Sequence, residues 1–292
     1  MADQYDKSLV VKVYSAAVLP WLPDMVQAIA KNADHDFEHL VIRLSRELQS
    51  MKASLRGEWE DGMIFHLKDP LTKWNGIQRF LENGIVFEAD LVHGQKTGFF
   101  LDQRGNRALV RELSAGKDVL NMFSYSGGFS VYAAAGGAKS VTSVDFNRHA
   151  IEDCGRIFAM NKGNPSVASC RHTGIADDAF HALDSFAGER KSFDLIIVDP
   201  PSFAKSREEI SGALHSYARL ARGALKLLRK NGILVFASCS SRVDSETLCH
   251  TVLHQGDLAG KPLKEFRRTF HEADHPARFR ESSYLKCIYA RV

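Results

Sequence analysis

A glycine-rich turn, followed by a strand that ends in aspartate, is the first feature of this sequence that could do chemistry. In "VLNMFSYSGGFSVYAAAGG", the turn from Ser124 to Gly128 separates an apolar run from a helical one, and Gly127 would let backbone amides approach a ligand. Asp145 ends the next run, "SVTSVD", where its carboxylate could accept hydrogen bonds from both hydroxyls of a ribose. The turn lacks the G-x-G-x-x-G pattern of pyrophosphate sites, so a nucleoside with a short zwitterionic tail fits better. A tight turn without any ligand is the alternative.

A second candidate lies in "FDLIIVDPPSF", where Asp199 ends an apolar strand and two prolines follow it. Proline cannot continue a central strand, so the chain must leave the sheet here. Asp199 and the carbonyls beside Pro200 and Pro201 could accept hydrogen bonds from an exocyclic amino group on a flat base. Phe203 could stack on that base. A strand exit without function is the alternative.

These two candidates need a fold that brings the ends of several strands together. From residue 116 onward, strand and helix patterns alternate, and the strands are short, continuous apolar runs: "DVLNMF", "SVTSVD", "SVASCRHT", "FDLIIVDPP" and "GILVFASCS". The intervening segments have helical patterns, and "SYLKCIYARV" predicts a closing strand after a helix or loop in "LKEFRRTFHEADHPARF". Such alternation predicts an α/β fold with a doubly wound parallel sheet. Its ligands would bind at the carboxyl ends of the strands.

The first part of the chain has a different pattern of apolar and polar residues. Residues 1–76 contain strand candidates in "SLVVKVYS", "HLVIRLSREL" and "GMIFHLKD" around a helical stretch, which predicts a small α+β domain. Residues 77–292 would form the second domain, beginning with a β-hairpin around the Asn-Gly turn of "LENGIVF".

Composition narrows the class of protein. Apolar residues make up 45% and charged residues 25% of the 292 residues, as in a folded globular protein. We see no apolar run of membrane-spanning length and no signal peptide, so we expect a cytoplasmic protein without membrane association. The five cysteines have no zinc spacing, and we expect free thiols and no metal. A net charge of +3 does not by itself indicate a nucleic-acid binder.

The ordered motifs "NMFSYSGGFS", "SVDFN", "DDAF", "FDLIIVDPPSF" and "GILVFASCSS" resemble those of Rossmann-like class I S-adenosylmethionine-dependent methyltransferases. With "HGQKTGFFLDQRGNR" before them and "FHEADHPARF" and "SYLK" after them, the chain resembles the bacterial 23S ribosomal RNA cytosine-5 methyltransferase family. The resemblance implies S-adenosyl-L-methionine as cofactor, S-adenosyl-L-homocysteine as product and ribosomal RNA as partner. Members of that family usually begin with a PUA domain, and we expect none in this chain.

The resemblance also implies roles for individual residues. Ser124, Tyr125 and Gly127 would line the methionine part of the cofactor, Asp145 would bind the ribose and Phe146 would lie beside the adenine. Asp178 would accept from the adenine amino group, with Asp177 as a substitute. The remaining residues assigned to the cofactor are Thr97, Phe99, Asp102, Arg104, Asp199 and Pro200. Arg104 could pair with the methionine carboxylate, and a solvated arginine is the alternative.

Cys239 in "GILVFASCSSR" matches the catalytic cysteine of the family. A thiolate that adds to C6 of cytosine would make C5 nucleophilic, and Asp199 would hold the N3/N4 edge of the base. Arg242 or strand-end amides could lower the pKa of the thiol. A buried structural cysteine is the alternative.

The substrate side is less specified. Pro201, Phe203 and His275 could contact the base or the RNA backbone, and a structural hydrogen bond is an equal alternative for His275. The basic residues that could contact RNA are Arg43, Arg46, Lys52, Arg56, Lys205, Arg207, Arg267 and Arg268, unless they are ordinary solvated surface. A homodimer is left open. An amino-directed methyltransferase without a cysteine nucleophile is the alternative enzyme, and a non-catalytic RNA-binding protein is the alternative of another class.

Overall fold

The computed structural model describes residues 1–32, 37–51, 57–69, 71, 73–204, 206–277 and 282–292. The chain divides into two compact units, Met1–Leu101 and Asp102–Val292. In the part of the chain so described, no helix has the length and apolar character needed to cross a membrane.

The first unit contains a mixed sheet which, over the described residues, has four strands. They are β1 (Ala2–Tyr5), β2 (Ser8–Val13), β3 (His39–Leu44) and β4 (Met63–His66), in that order across the sheet. The pair β2 and β3 is parallel, and the outer pairs are antiparallel. Three of these strands were predicted, whereas the short β1 was not.

One face of this sheet packs on helices because its apolar residues alternate with residues of the opposite face. Leu9, Val11, Leu40 and Ile42 lie in one buried cluster with Leu22 from helix α1. The helical elements are the 3-10 helix Ala16–Trp21, α1 (Leu22–Asn32) and α2 (Arg46–Ser50). This cluster gives the first unit its own hydrophobic core.

The predicted hairpin is present as β5 (Ile77–Glu82) and β6 (Ile85–Asp90). Asn83 and Gly84 both have positive φ, 50° and 79°, as a two-residue turn of this type requires. The hairpin packs within the first unit, since the ring of Phe80 lies 5.1 Å from that of Tyr5. The compact units therefore divide after Leu101, whereas the sequence analysis divides the chain after residue 76.

The second unit is built on a sheet that has seven strands in the residues described. They are β7 (Asp118–Met122), β8 (Ser140–Asp145), β9 (Arg171–Ala176), β10 (Phe193–Val198), β11 (Leu228–Ser238), β12 (Lys264–Thr269) and β13 (Lys286–Arg291). Their order is β12-β13-β11-β10-β7-β8-β9. β7 to β11 are parallel, and β13 runs antiparallel between β11 and β12. The prediction of a doubly wound sheet is confirmed, with an antiparallel pair at one edge.

Helices connect the parallel strands and bury the sheet. They are α3 (Arg104–Leu113), α4 (Gly128–Ala135), α5 (Arg148–Met160), α6 (Pro165–Ser169), α7 (Ala179–Gly188), α8 (Ile210–Leu227) and α9 (Ser245–Leu258). One large buried cluster joins β7, β10 and β11 to α7, α8 and α9 through residues such as Leu120, Ile196, Leu220, Phe236 and Leu248.

Two predicted elements differ from the structure. The segment "SVASCRHT" was predicted as one strand, but Pro165–Ser169 is helical because Asn164 caps it and proline suits a first helical position. The segment after α9 was predicted as a helix or loop, but Lys264–Thr269 is an edge strand with an irregular register against β13. Its mostly polar residues hide the strand pattern.

Candidate cofactor and catalytic site

The strand order creates a crevice between two neighbouring strands. The chain proceeds from β7 to β8 and β9 on one side, and to β10 and β11 on the other. The connections after β7 and β10 therefore leave the sheet in opposite directions, although the two strands are paired. In open α/β sheets, ligands bind at the carboxyl ends of the strands at such a point.

The turn after β7 has an unusual backbone. Phe123, Tyr125 and Gly127 have positive φ values of 58°, 47° and 84°. A Cβ at position 127 would collide with the sulfur of Cys154 from α5, so the turn requires glycine for two independent reasons. Gly127 precedes the first residue of α4, and the turn thus presents backbone amides at the start of a helix.

Two side chains give this turn the features of a ligand site. The Ser124 hydroxyl is buried and, among the residues that the structure describes, has no hydrogen-bond partner. The Asp145 carboxylate accepts hydrogen bonds from the backbone N–H of Tyr125 at 2.9 Å and of Asn147 at 3.0 Å. Asp145 therefore ties the end of β8 to the turn and remains only half-buried.

The residues assigned to the adenine lie on the same side of the crevice. Phe146 follows Asp145 and is 80% exposed, which leaves its ring available to a ligand. Asp178 caps α7, and its carboxylate accepts from the backbone N–H of Phe180 and His181. Asp177 pairs with the His181 ring at 2.7 Å, and this hydrogen bond raises the pKa of His181.

Asp199 lies immediately after β10 and is half-buried. It accepts a hydrogen bond of 3.0 Å from the amide nitrogen of Gln103. The Gln103 oxygen in turn accepts from the amide of Asn106 at 2.6 Å. A buried pair of amides therefore orients the carboxylate.

Cys239 follows β11 and lies beside the prolines of the neighbouring strand end. Its half-buried thiol donates to the Pro200 carbonyl at a sulfur–oxygen distance of 3.9 Å. The Tyr217 hydroxyl hydrogen-bonds Ser238 at 2.9 Å, directly before the cysteine. Burial raises the pKa of Tyr217, and the negative charges of Cys239 and Asp199 act in the same direction. The structure thus places Cys239 beside Pro200, the residue that follows Asp199, and the catalytic roles assigned to Cys239 and Asp199 stay predictions.

The other cysteines have environments that disfavour a thiolate. Burial raises the pKa of Cys154 to about 12 and that of Cys170 to about 11. The same cause raises the pKa of Cys249 to about 11 and shifts that of Cys287 in the same direction. A protonated thiol is a poor nucleophile, so none of these four is a good candidate for catalysis.

Phe203 and Pro201 are placed differently from each other. The Phe203 ring lies 5.4 Å from the ring of Tyr217 and packs against the core, whereas Pro201 is exposed. Stacking of Phe203 on a base stays a prediction, since its ring already has a neighbour in the core.

Asp102 and Arg104 contact the segment after β12, and His275 belongs to that segment. The buried Asp102 carboxylate accepts from the Tyr284 hydroxyl at 2.7 Å. Arg104 donates to Asp274 at 2.9 Å, and the other oxygen of Asp274 lies 3.0 Å from the His275 ring. Arg104 and His275 therefore share one carboxylate, and their assigned roles stay predictions.

Thr97 and Phe99 belong to the first unit and have structural partners there. The Thr97 hydroxyl donates to Asp3 at 2.6 Å and lies 2.9 Å from the Tyr5 hydroxyl. The Phe99 ring lies 4.8 Å from that of Phe87. Their contact with a cofactor also stays a prediction.

The basic residues proposed to contact RNA fall into three groups. Arg43 is buried and pairs with Asp61, and the half-buried Arg268 pairs with Glu265 and Glu246, so both have structural roles. Exposed side chains are present at Arg46, Arg207 and Arg267. Lys52, Arg56 and Lys205 lie outside the described residues.

Two residues at this site were missed by sequence reasoning. Gln103 was quoted within a motif but given no role, because its contact with Asp199 joins positions far apart in the chain. Lys286 is buried at the start of β13 and donates to the carbonyl of Ser240, next to Cys239. The sequence signal that could have identified Lys286 is a lysine placed directly before the apolar run "CIYA".

These residues fit a nucleoside with an amino-acid tail. The turn offers amides and the unpaired Ser124 hydroxyl, and it has no room for a Cβ at Gly127. Asp145 has acceptor capacity left for hydroxyl groups because its two observed partners each donate one hydrogen bond. Asp199 and Cys239 follow β10 and β11, the next two strands on the other side of β7.

In sequence, the chain is similar to methyltransferases. A family model for S-adenosylmethionine-dependent methyltransferase matches residues 38–253. A ribosomal RNA large subunit methyltransferase of Deinococcus radiodurans is 40% identical over 292 residues, which are 100% of this chain and 69% of that protein. Ribosomal RNA large subunit methyltransferase I of Shewanella amazonensis is 37% identical over 296 residues, covering 99% of this chain and 70% of the relative.

In structure, the protein SMU.776 complexed with SAH superposes with a TM-score of 0.81 at 26% sequence identity. That match covers 100% of this chain and 71% of SMU.776. The chain thus spans about 70% of the length of these similar proteins.

Proposed function

We propose that this chain methylates C5 of a cytosine in ribosomal RNA through a covalent adduct on Cys239. The chain belongs to the S-adenosylmethionine-dependent methyltransferases and, among them, to the ribosomal RNA large subunit methyltransferases. One observation carries the proposal of the adduct. The half-buried thiol of Cys239 lies beside Pro200, so a base held by Asp199 would be within reach of the sulfur.

The cofactor would bind in the crevice beside β7 and β8. Ser124, Tyr125 and Gly127 would hold its amino-acid part, and Asp145 would accept from its ribose. When bound, S-adenosylmethionine supplies an electrophilic methyl group. The buried hydroxyl of Ser124 supports this assignment. It has no hydrogen-bond partner among the described residues, and such a group needs a ligand or water as partner.

Cys239 would act as the nucleophile. Its thiolate would form a bond to C6, and the electrons of the C5–C6 double bond would make C5 nucleophilic. After C5 has been methylated, a proton acceptor removes the C5 proton. The electrons of that C–H bond re-form the C5–C6 double bond, and the bond between sulfur and C6 breaks. The cysteine is thereby regenerated as a thiolate.

Asp199 would hold the base during this reaction. Its carboxylate would accept from the N3/N4 edge of a cytosine, and Gln103 keeps the carboxylate in place through a 3.0 Å hydrogen bond. The names of the similar proteins from Deinococcus and Shewanella support ribosomal RNA as the substrate and partner. A cytoplasmic location belongs to the same proposal.

The test is methyl transfer to ribosomal RNA from a strain that lacks the gene, with the modified nucleotide mapped by mass spectrometry. We expect 5-methylcytosine, and we expect Cys239→Ala to lower transfer about a thousandfold or more. Cys170→Ala is the matched control because Cys170 is also half-buried; it should keep wild-type transfer. Full transfer by Cys239→Ala would eliminate the covalent mechanism.

An amino-directed methyltransferase is the second candidate. The observation in its favour is the Asp199-Pro200-Pro201 strand exit, which suits an exocyclic amino group and requires no thiol. It predicts N-methylated product and an active Cys239→Ala variant, so the same experiment separates the two reactions. Calorimetry with S-adenosylhomocysteine tests cofactor binding independently of both.

A further inference from the structure

Lys286 is a buried cation at the carboxyl end of the sheet. It is the first residue of β13, opposite Ser238 in the pairing with β11, and is only 3% exposed. Its Nζ donates to the carbonyl of Ser240, the residue that follows Cys239. Burial of an ammonium group is unfavourable unless nearby charges or dipoles compensate for it. The position therefore needs a physical reason.

The charges around Lys286 include the candidate nucleophile. Burial lowers the pKa of Lys286 to about 8, and the negative charges of Cys239 and Asp244 act in the opposite direction. At pH 7 the amine is therefore mostly protonated. Tyr217 is a further titratable group beside Cys239, since the charges of Cys239 and Asp199 both raise the pKa of Tyr217. Lys286 supplies positive charge where Asp244 supplies negative charge.

We propose that Lys286 is a positioning residue for Cys239, whose ammonium group, fixed by the Ser240 carbonyl, stabilises the thiolate form of the cysteine. A cation close to a thiol favours the charged form of that thiol. The catalytic meaning of this inference rests on the proposed function, but the effect on the thiol can be measured without RNA.

A purely structural role must be separated from this one. Asp244 has its own partners, since its carboxylate accepts from the backbone N–H of Thr247 at 2.8 Å and from the Thr247 hydroxyl at 3.0 Å. Lys261 provides a matched control. Its Nζ donates to the carbonyls of Leu225 and Leu228 at the opposite end of β11, so it anchors backbone far from Cys239.

The experiment measures alkylation of Cys239 by iodoacetamide between pH 5 and pH 10 in the full chain, with each cysteine followed by peptide mass spectrometry. We expect Lys286→Met to raise the midpoint of the Cys239 curve by about one pH unit or more, and to slow alkylation at pH 7 about tenfold. Lys286→Arg should keep the wild-type midpoint, and Lys261→Met should not change it. Alkylation of Cys170 should be the same in all variants.

An unchanged Cys239 midpoint in a folded Lys286→Met variant that still binds S-adenosylhomocysteine would overturn the proposal. If Lys286→Met does not fold, Lys286→Gln and Lys286→Arg are compared, and equal midpoints overturn it. Failure of the proposed function gives a different result. In that case Cys239→Ala still methylates RNA, while the midpoint of Cys239 alkylation in the protein that keeps the cysteine still depends on the charge at position 286.

Discussion

Asp199 accepts a hydrogen bond from the amide of Gln103, and the position of that amide is fixed by Asn106. A neutral amide orients a carboxylate without placing a positive charge beside it, whereas an arginine would hold the carboxylate in an ion pair. The carboxylate therefore keeps its capacity to accept hydrogen bonds from a base. At the scale of single residues, orientation of Asp199 by buried amides is the feature on which recognition of the base would depend.

This arrangement predicts the effect of Gln103→Leu. We expect methyl transfer to fall about tenfold, because Asp199 loses a hydrogen bond to its charged form that is worth about 1.5 kcal/mol. The measurement is single-turnover transfer, normalised to the protein that binds S-adenosylhomocysteine. Gln255→Leu is the control, since Gln255 is a buried glutamine that accepts from Arg222. Equal transfer by the Gln103 and Gln255 variants would contradict the prediction.

The position of a residue at the end of a strand can be predicted from a single motif. Asp145 ends β8 and Cys239 follows β11, as their sequence windows indicate, whereas their roles stay predictions. Gln103 and Lys286 act through partners distant in the chain, at Asp199 and Ser240. No local spacing encodes such a contact, so both residues required the structure.

At the scale of elements, a polar network crosses the layers beneath the glycine turn. Asn121 on β7 donates to Ser130 on α4, and Ser130 lies 2.7 Å from Ser143 on β8. Ser143 contacts the His172 ring on β9 at 2.9 Å, and Cys154 on α5 lies 3.5 Å from the same nitrogen. The network joins three neighbouring strands to two helices, so it fixes the elements that carry the turn.

The network predicts a loss of stability in mild acid. Burial lowers the pKa of His172 from 6.5 to about 4. Between pH 6.5 and pH 4 the unfolded chain binds a proton at this position that the folded chain does not. The free energy of unfolding should therefore decrease as the pH falls, by about 2 kcal/mol over this range.

Denaturant unfolding at several pH values measures this loss. His172→Gln should remove this part of the pH dependence, whereas His149→Gln should retain it because His149 is exposed on α5. If the free energy of unfolding changes equally with pH in the wild type and in His172→Gln, the buried histidine is not the cause.

The clearest of the correctly predicted strands contain a continuous apolar run. β10 and β11 have such runs because helices cover both faces of the sheet. β12 is an edge strand with mostly polar residues, and α6 depends on a cap and a proline over five residues. Their signals are local and weak, so their type was mistaken while the longer elements were correctly identified.

At the scale of the whole molecule, the net charge is +3, and the arginines that contribute to it have different environments. Arg43 and Arg229 stabilise the two units from within, Arg43 through Asp61 and Arg229 through Asp118 and Asp194. Arg207 and Arg267 are exposed on the second unit. Their charges are better placed to meet phosphate than those of the paired arginines.

Binding of ribosomal RNA should accordingly depend on salt. We expect the affinity to fall about tenfold to a hundredfold between 50 and 200 mM salt, as contacts with a few phosphates require. The double variant Arg207→Ala and Arg267→Ala should reduce the slope of log affinity against log salt by about 1.4. Filter binding or anisotropy measures both quantities.

Lys230→Ala is the control for this prediction, because Lys230 is exposed near the start of β11, away from the carboxyl ends of the strands. A slope that changes equally in the control and in the double variant would show that overall charge, and no particular contact, determines the affinity.

The sulfur of Cys154 occupies the space that a side chain at Gly127 would need, and it is fully buried beneath the turn. A bulky group attached to that sulfur would push the turn out of shape. Thiol reagents that penetrate during breathing motions could thus inactivate the protein without touching the nucleophile. Inactivation by a maleimide or a mercurial would then be ambiguous evidence for a reactive cysteine, unless the labelled position is identified.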